Sequence, residues 1–191
     1  MASRLSLSDP RLLTVDEFLR IDFGPDLKAE LDNGIVRMMA GGTRAHDRVA
    51  MNLIIALGVQ LRGTPCRPSG SDMGVSSHDT SLRYPDISVA CGRDELEDDH
   101  VRDINDPSVI IEVLSPTTAA HDEQVKLPEY KAIQSVETIA YIDPDREHMT
   151  VWQRTGRDPD SWSEIVHTRH ADLPLPGLGI VVPSGEIFRR R

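Results

Sequence analysis

The sequence predicts a mixed α/β (α+β) domain, a mixed central β-sheet flanked by helices and carrying extra β-hairpins. Three observations carry that prediction. Two turn signals, Asn33-Gly34 and Asp143-Pro144-Asp145, each lie between short strand-like runs. Val49, Leu53, Leu57 and Leu61 recur at helical spacing. Val109-Ile110-Ile111-Glu112-Val113-Leu114 is apolar on both of the faces a strand would present. Hairpins, a helix, a cluster of strands, a second helix and further strands make a mixed sheet with helices packed on it. No repeat, low-complexity stretch or Gly/Ser-rich linker divides the 191 residues. They are expected to form one domain, with its core over about 13–188.

The elements follow in order. Thr14-Val15-Asp16-Glu17 is a capping box, so a short helix should run through Phe18, Leu19 and Ile21. Asn33-Gly34 favours the positive φ angles of a type I′ turn and should join strands over 28–31 and 35–39. The first long helix is expected over 45–61, stopped by Arg62-Gly63-Thr64-Pro65. Strands are expected over 65–68, 86–91 and 108–114, and the acidic run 93–102 should be a solvated loop or short helix. A second helix should span about 119–134, kinked or broken at Pro128. Strands over 138–142 and 149–154 then form another hairpin, and the chain from Trp162 on is β-rich and punctuated by prolines.

Composition narrows the function. The chain is 39% hydrophobic and 27% charged, which is ordinary for a folded globular protein. No stretch approaches the roughly 20 apolar residues of a membrane span. The first residues lack the pattern of a secretory signal, so a cytoplasmic protein is expected. Cys66 and Cys91 make neither a disulfide framework nor a thiolate metal site. Nucleotide-binding glycine motifs are missing from the sequence. Thirty-one acids against twenty-one bases give a net charge of −10. That argues against a broad basic surface coating nucleic acid, but not against a nuclease whose metal site is made of carboxylates. Only Lys28, Lys126 and Lys131 are lysines.

Two acids stand in unusual surroundings. Glu112 shares a strand face with Ile110 and Leu114, while Ile111 and Val113 take the other. An ionised glutamate there needs an arginine, a proton or a cation. A buried arginine or a strand end open to water would answer this as well as a metal. Asp86 follows Pro85 at the start of a strand and alone is an ordinary turn residue. Together, on adjacent strands, Asp86 and Glu112 can share one hard divalent ion such as Mg²⁺, with the Val113 carbonyl as a further donor. Such a site suits phosphodiester hydrolysis, where the metal polarises the phosphoryl group and lowers the pKa of an attacking water. Lys126 is the candidate cation beside it. Its competing reading is a solvated i,i+4 pair with Asp122.

These residues resemble the Uma-two family. The likeness is carried by Ala29-Glu30-Leu31-Asp32-Asn33-Gly34, by His46 at a helix start, by Ser71-Asp72-Met73-Gly74-Val75 and by Tyr84-Pro85-Asp86-Ile87-Ser88-Val89. More specific is Ile111-Glu112-Val113-Leu114-Ser115-Pro116-Thr117-Thr118 followed by Asp122, Lys126 and Tyr130. Tyr141-Ile142-Asp143-Pro144 and Leu175-Pro176-Gly177-Leu178 extend it. The resemblance implies a bacterial protein with the restriction-endonuclease-like fold of the PD-(D/E)xK nucleases and a Mg²⁺- or Mn²⁺-dependent phosphodiesterase site.

It further implies Asp86 and Glu112 as metal ligands and Glu30 as a third acid on the metal. Lys126 on the following helix replaces the lysine that the wider superfamily carries two residues after the glutamate, where this chain has Leu114. His46 would contact a phosphate, a water or a site carboxylate. Tyr130 would lie behind the site, and Asp72 is a weaker candidate. The expected activity is an endonuclease acting on nucleic acid, DNA in the first instance, by in-line attack of water and loss of the 3′ oxygen. A homodimer is expected on the frequency of such assemblies. The alternative is a non-catalytic homo-oligomeric interaction module retaining the fold, in which apolar residues such as Ile180-Val181-Val182 serve dimerisation.

Overall fold

The structure is a computed structural model, and it describes residues 12–24, 27–92, 100–115, 122–156, 158 and 160–190. The acidic run 93–99 and the start of the expected second helix, 116–121, lie outside them. The chain opens with α1 (Val15–Phe18), whose capping box between Thr14 and Glu17 is formed in both directions. β1 (Ala29–Asp32) and β2 (Ile35–Met38) pair antiparallel across Asn33-Gly34, both at positive φ as a type I′ turn requires. The long helix α2 (Arg44–Gln60) is capped by the Thr43 hydroxyl, which accepts from the His46 backbone. Strands β3 (Cys66–Gly70), β4 (Gly74–His78), β5 (Ser81–Arg83), β6 (Ile87–Cys91), β7 (Asp103–Ile104) and β8 (Pro107–Val113) follow.

A π-helical turn, Asp122–Lys126, leads into α3 (Leu127–Ala132). Pro128 lies in the first turn of α3, where its missing N–H costs nothing. The second helical segment thus changes from π to α just ahead of the proline rather than breaking at it, and it ends by 132 rather than 134. β9 (Thr138–Asp143) and β10 (His148–Arg154) form the second hairpin. β11 (Trp162–His167), β12 (Leu173–Leu175), β13 (Ile180–Val182) and α4 (Ser184–Ile187) complete the chain.

The main sheet has six strands in the order β11-β10-β9-β8-β6-β3, all antiparallel except the β8–β9 pair. A second sheet, β2-β1-β5-β4-β7, has five, and β12–β13 form a small ribbon. The second sheet is larger than the expected hairpin because β4, β5 and β7 join it. On one face of the main sheet, Val49, Leu53 and Leu57 of α2 pack against Ile87, Val89, Ile111 and Val113. On the other, Ile110 packs with Tyr130, Ile133, Ile139 and Tyr141. The alternation read from 109–114 is thus realised, and Glu112 projects toward α3. A third cluster joins α1 to the second sheet through Phe18, Leu31 and Leu82.

The two cysteines correct the sequence reading. Cys66 and Cys91 stand opposite one another in the β3–β6 register and form a disulfide, with Cα atoms 4.0 Å apart. Twenty-five residues separate them in sequence, so only the strand pairing reveals their proximity. No helix among the described residues is long and apolar enough to cross a membrane.

Candidate active site

Asp86 immediately precedes β6, and the antiparallel register that pairs Ile87 with Ile111 carries it to the level of Glu112 on β8. The two strand ends interlock. The Val113 N–H donates to Asp86 Oδ2 at 2.7 Å, and the Asp86 N–H points at Glu112 Oε2 at 3.4 Å. From the other side, the first turn of α2 brings His46 Nε2 to 3.0 Å from Asp86 Oδ2. Gly42 makes this approach possible, since a Cβ at Gly42 would lie 2.7 Å from His46 Nδ1. The hydrogen bond to Asp86 raises the His46 pKa against the opposing effect of burial.

Lys126 arrives from the π-helical turn and is 7% exposed, which overturns the solvated reading. Its Nζ lies 3.1 Å from Glu30 Oε1, 3.2 Å from Glu112 Oε1 and 3.5 Å from Asp122 Oδ1. The i,i+4 pair with Asp122 exists, but it is turned inward. Burial works against the ammonium charge, yet Glu112, Glu30 and Asp122 outweigh it and raise the lysine pKa. Tyr130 donates its hydroxyl to the same Glu112 Oε1 at 2.7 Å.

Three buried acids share one lysine, and Asp86 adds a fourth carboxylate beside them. The surplus falls on the innermost. Burial, only partly offset by Lys126 and reinforced by Asp86, Asp122 and Glu30, pushes the Glu112 carboxyl up to about 8.

A cavity of about 390 Å³ opens at this cluster. His46, Asp86, Glu112, Val113, Asp122 and Lys126 line it, with Lys28, Tyr84 and Ser71 at other points of its wall. Of the residues proposed from sequence, Asp86, Glu112, Val113, Lys126 and His46 therefore share one wall-to-wall space. Glu30 stands behind Lys126 and is committed elsewhere: Oε1 accepts from the Tyr84 N–H at 3.0 Å, and Oε2 lies 3.7 Å from Arg83. Asp72 is fully exposed and pairs with Lys28.

Arg83, which the sequence reading passed over, is completely buried. It grips Glu129 through Nε at 2.7 Å and Nη2 at 2.8 Å, and Asp32 through Nη2 at 2.8 Å. The available signal was an arginine in the short run Leu82-Arg83-Tyr84, directly ahead of Pro85-Asp86.

Among the described residues, no three His, Cys, Asp or Glu side chains close around one point as a protein-only metal cage. The geometry explains this, because Glu30 and Asp122 are turned to Lys126. Of the acids lining the cavity, Asp122 is engaged by Lys126, which leaves Asp86 and Glu112, with Val113 beside them, to face a ligand. That donor set, all oxygen and in excess negative charge, fits a hard cation that keeps several of its waters.

The comparisons with known proteins agree in direction. A family model described as Uma2, "Putative restriction endonuclease", matches residues 15–182. Two uncharacterized proteins of Synechocystis sp. are similar in sequence. One is 26% identical over 147 residues, 76% of this chain and 83% of the relative. The other is 24% identical over 178 residues, 93% and 92% of the two chains. Among solved structures, a "putative nuclease belonging to DUF820" from Anabaena variabilis superposes with a TM-score of 0.71. It is 18% identical, and the match covers 92% of this chain and 97% of that one. This likeness carries the fold.

Proposed function

Because the chain belongs to the Uma2 family, of nuclease-like proteins, we propose that it is a metal-dependent endonuclease that hydrolyses phosphodiester bonds, with DNA as its substrate and the cytoplasm as its setting. The observation that carries this reading is the surplus of buried carboxylate around Lys126. A purely structural ion pair has no use for acids beyond those its cation can neutralise, and leaving them ionised is costly. Asp86 and Glu112, with the carbonyl of Val113, would hold Mg²⁺ or Mn²⁺. The ion, when bound, supplies Lewis acidity toward a phosphoryl oxygen and a water of lowered pKa.

The chain's own residues do the rest. Lys126, protonated throughout the neutral range, presents its ammonium to the phosphate and offsets the charge that develops in the transition state. Glu30 and Asp122 hold that ammonium at its post, so Glu30 acts on the lysine rather than on the metal. Tyr130 fixes the Glu112 carboxylate through Oε1 and turns Oε2 to the Asp86 side. His46 carries a proton at Nε2 beside Asp86 and is placed to pass it to the departing 3′ oxygen. The cleft is acidic overall, so substrate binding is expected to be weak, salt-sensitive and dependent on the metal.

The test uses plasmid, linear duplex and single-stranded DNA with Mg²⁺ or Mn²⁺, beside Asp86→Ala and Lys126→Ala. Wild type should nick or cut, and each variant should lose at least two orders of magnitude, roughly the range for removing a charge-stabilising group. Wild type and both variants behaving alike would overturn the reading in favour of a non-catalytic module.

A further inference from the structure

A second cavity, of about 340 Å³, adjoins the first. Lys28 and Tyr84 belong to the walls of both, so they form the partition between them. The two spaces differ in chemistry. Acids, His46 and Lys126 line the first. The second is walled by Phe18, Phe23, Leu27 and Tyr84, with Arg102 and Asp72 among its polar groups. Phe18 at the end of α1 is buried, and the half-buried Phe23 ring lies 5.4 Å from it, centre to centre. Lys28 Nζ stands 5.3 Å from the centre of the Tyr84 ring. It donates to the Ser71 main-chain oxygen and, at 3.2 Å, to Ser71 Oγ, and it pairs with Asp72 at 3.0 Å. Asp72 is fully exposed, so that pair is weak and a phosphate can take its place. Arg102 is exposed at the rim, with Nη1 3.2 Å from the Leu19 carbonyl.

We propose that the second cavity takes an unpaired base of the substrate strand, with Lys28 on the phosphate that joins this nucleotide to the one being cut. The inference rests on the endonuclease reading of the first cavity. The occupant follows from what the partition separates. On one side is a site for a phosphodiester, at the partition is an ammonium, and beyond it are aromatic rings. A strand of nucleic acid repeats that order, with an anionic phosphate followed by a flat apolar base. Aromatic side chains accept any base by its π face, and Arg102 is a donor for the base's polar edge. A base reaches such a cavity only when it is out of the stack. That costs unpairing and unstacking in a duplex and far less in a single strand. The substrate class is therefore single-stranded or frayed DNA rather than intact duplex.

Fluorescence anisotropy tests it on the full chain, with Ca²⁺ as the ion and salt held constant. The probes are a short labelled single strand, the same strand annealed to its complement, and the same strand built with abasic sugars. Wild type should bind the intact single strand about tenfold more tightly than either of the others, in the range for stacking one base. Phe23→Ala should lose about tenfold on the intact strand and less than twofold on the abasic one, a difference that general unfolding cannot produce. Phe23→Trp should keep the affinity, and its added indole fluorescence should be quenched by the intact strand alone. Equal binding of single strand and duplex, equal binding of intact and abasic strands, or equal damage by Phe23→Ala to both strands would each overturn the proposal. The two readings part in the Mg²⁺ cleavage assay. Base-dependent binding without any cutting removes the endonuclease and leaves the base cavity standing. Cutting of duplex and abasic strands as fast as the intact single strand keeps the endonuclease and removes the base cavity.

Discussion

Two buried cations, Arg83 and Lys126, lie on either side of Glu30, and their surroundings differ in one respect. Around Arg83 the charges balance. Its guanidinium takes Glu129 in a two-pronged grip and shares Asp32 with Arg37, which also pairs with that aspartate. Two bases meet two acids, and the arginine and Asp32 both stay charged: burial opposes each, but Glu129 and then Asp32 hold the arginine's proton, and Arg83 and then Arg37 hold the aspartate ionised. Around Lys126 the charges do not balance, because Glu30, Glu112 and Asp122 converge on one ammonium. The first cluster ties α3 to the second sheet. The second stores negative charge facing a cavity. The balanced cluster is a brace, and the imbalance of the other is what the proposed cation site rests on.

The largest effect expected from this contrast is on the brace. Arg83→Met would leave Asp32 and Glu129 buried without their partner and should cost about 3–5 kcal/mol, read from denaturant unfolding. A variant as stable as wild type would deny the brace its role.

Next is the pH dependence of the imbalanced cluster. Glu112 titrates higher in the folded chain than in an unfolded one, so the stability it contributes is complete below the ordinary glutamate pKa. That stability is lost as pH rises through about 8. Relative to Glu112→Gln, wild type should lose up to about 1.4 kcal/mol per pH unit across that window. Equal slopes for the two proteins would remove the imbalance from the account. By the same linkage, Mn²⁺ binding measured by calorimetry should release protons and tighten as pH rises toward 8.

His46 offers a smaller contrast of opposite chemistry but the same sign. Its raised pKa means that the pair with Asp86 stabilises the fold below the ordinary histidine value and fades as pH rises through the folded one. His46→Asn should therefore be more destabilising at pH 5.5 than at pH 8.5, read from denaturant unfolding at the two pH values. The smallest effect belongs to Gly42→Ala. The added methyl should displace the imidazole and return its pKa, followed by NMR, toward that of an exposed histidine, with stability changed by only about 0.5 kcal/mol.

Much of this was legible in the sequence where the signal is local. Asn33-Gly34, the capping box at Thr14 and the period of Val49, Leu53 and Leu57 each specify their element with neighbouring residues alone. The apolar run around Glu112 announced a buried acid on a covered strand. What escaped notice depends on tertiary packing. β4 and β5 are short and contain serines, and they become strands only through their neighbours, β5 beside β1 and β4 between β5 and β7. Asp122 and Lys126 have the spacing of a surface pair, and packing of the π-helical turn over β8 reverses that meaning. Arg83 has the look of a loop arginine until β5 is placed between β1 and β4. Cys66 and Cys91 meet only through the β3–β6 register.

One detail of Arg83 bears on how the lysine can work. Its Nη1 is buried, makes no hydrogen bond, and lies 3.7 Å from Glu30 Oε2. Such an unmet donor costs about 1–3 kcal/mol, which a small turn of Glu30 would recover. Glu30 thus has two resting places for its charge, one on each cation. On the proposed role of Lys126, a turn of the ammonium toward a phosphate would leave Glu30 with Arg83 as a second partner, so the brace would act as a counterweight for that one of the lysine's three acids.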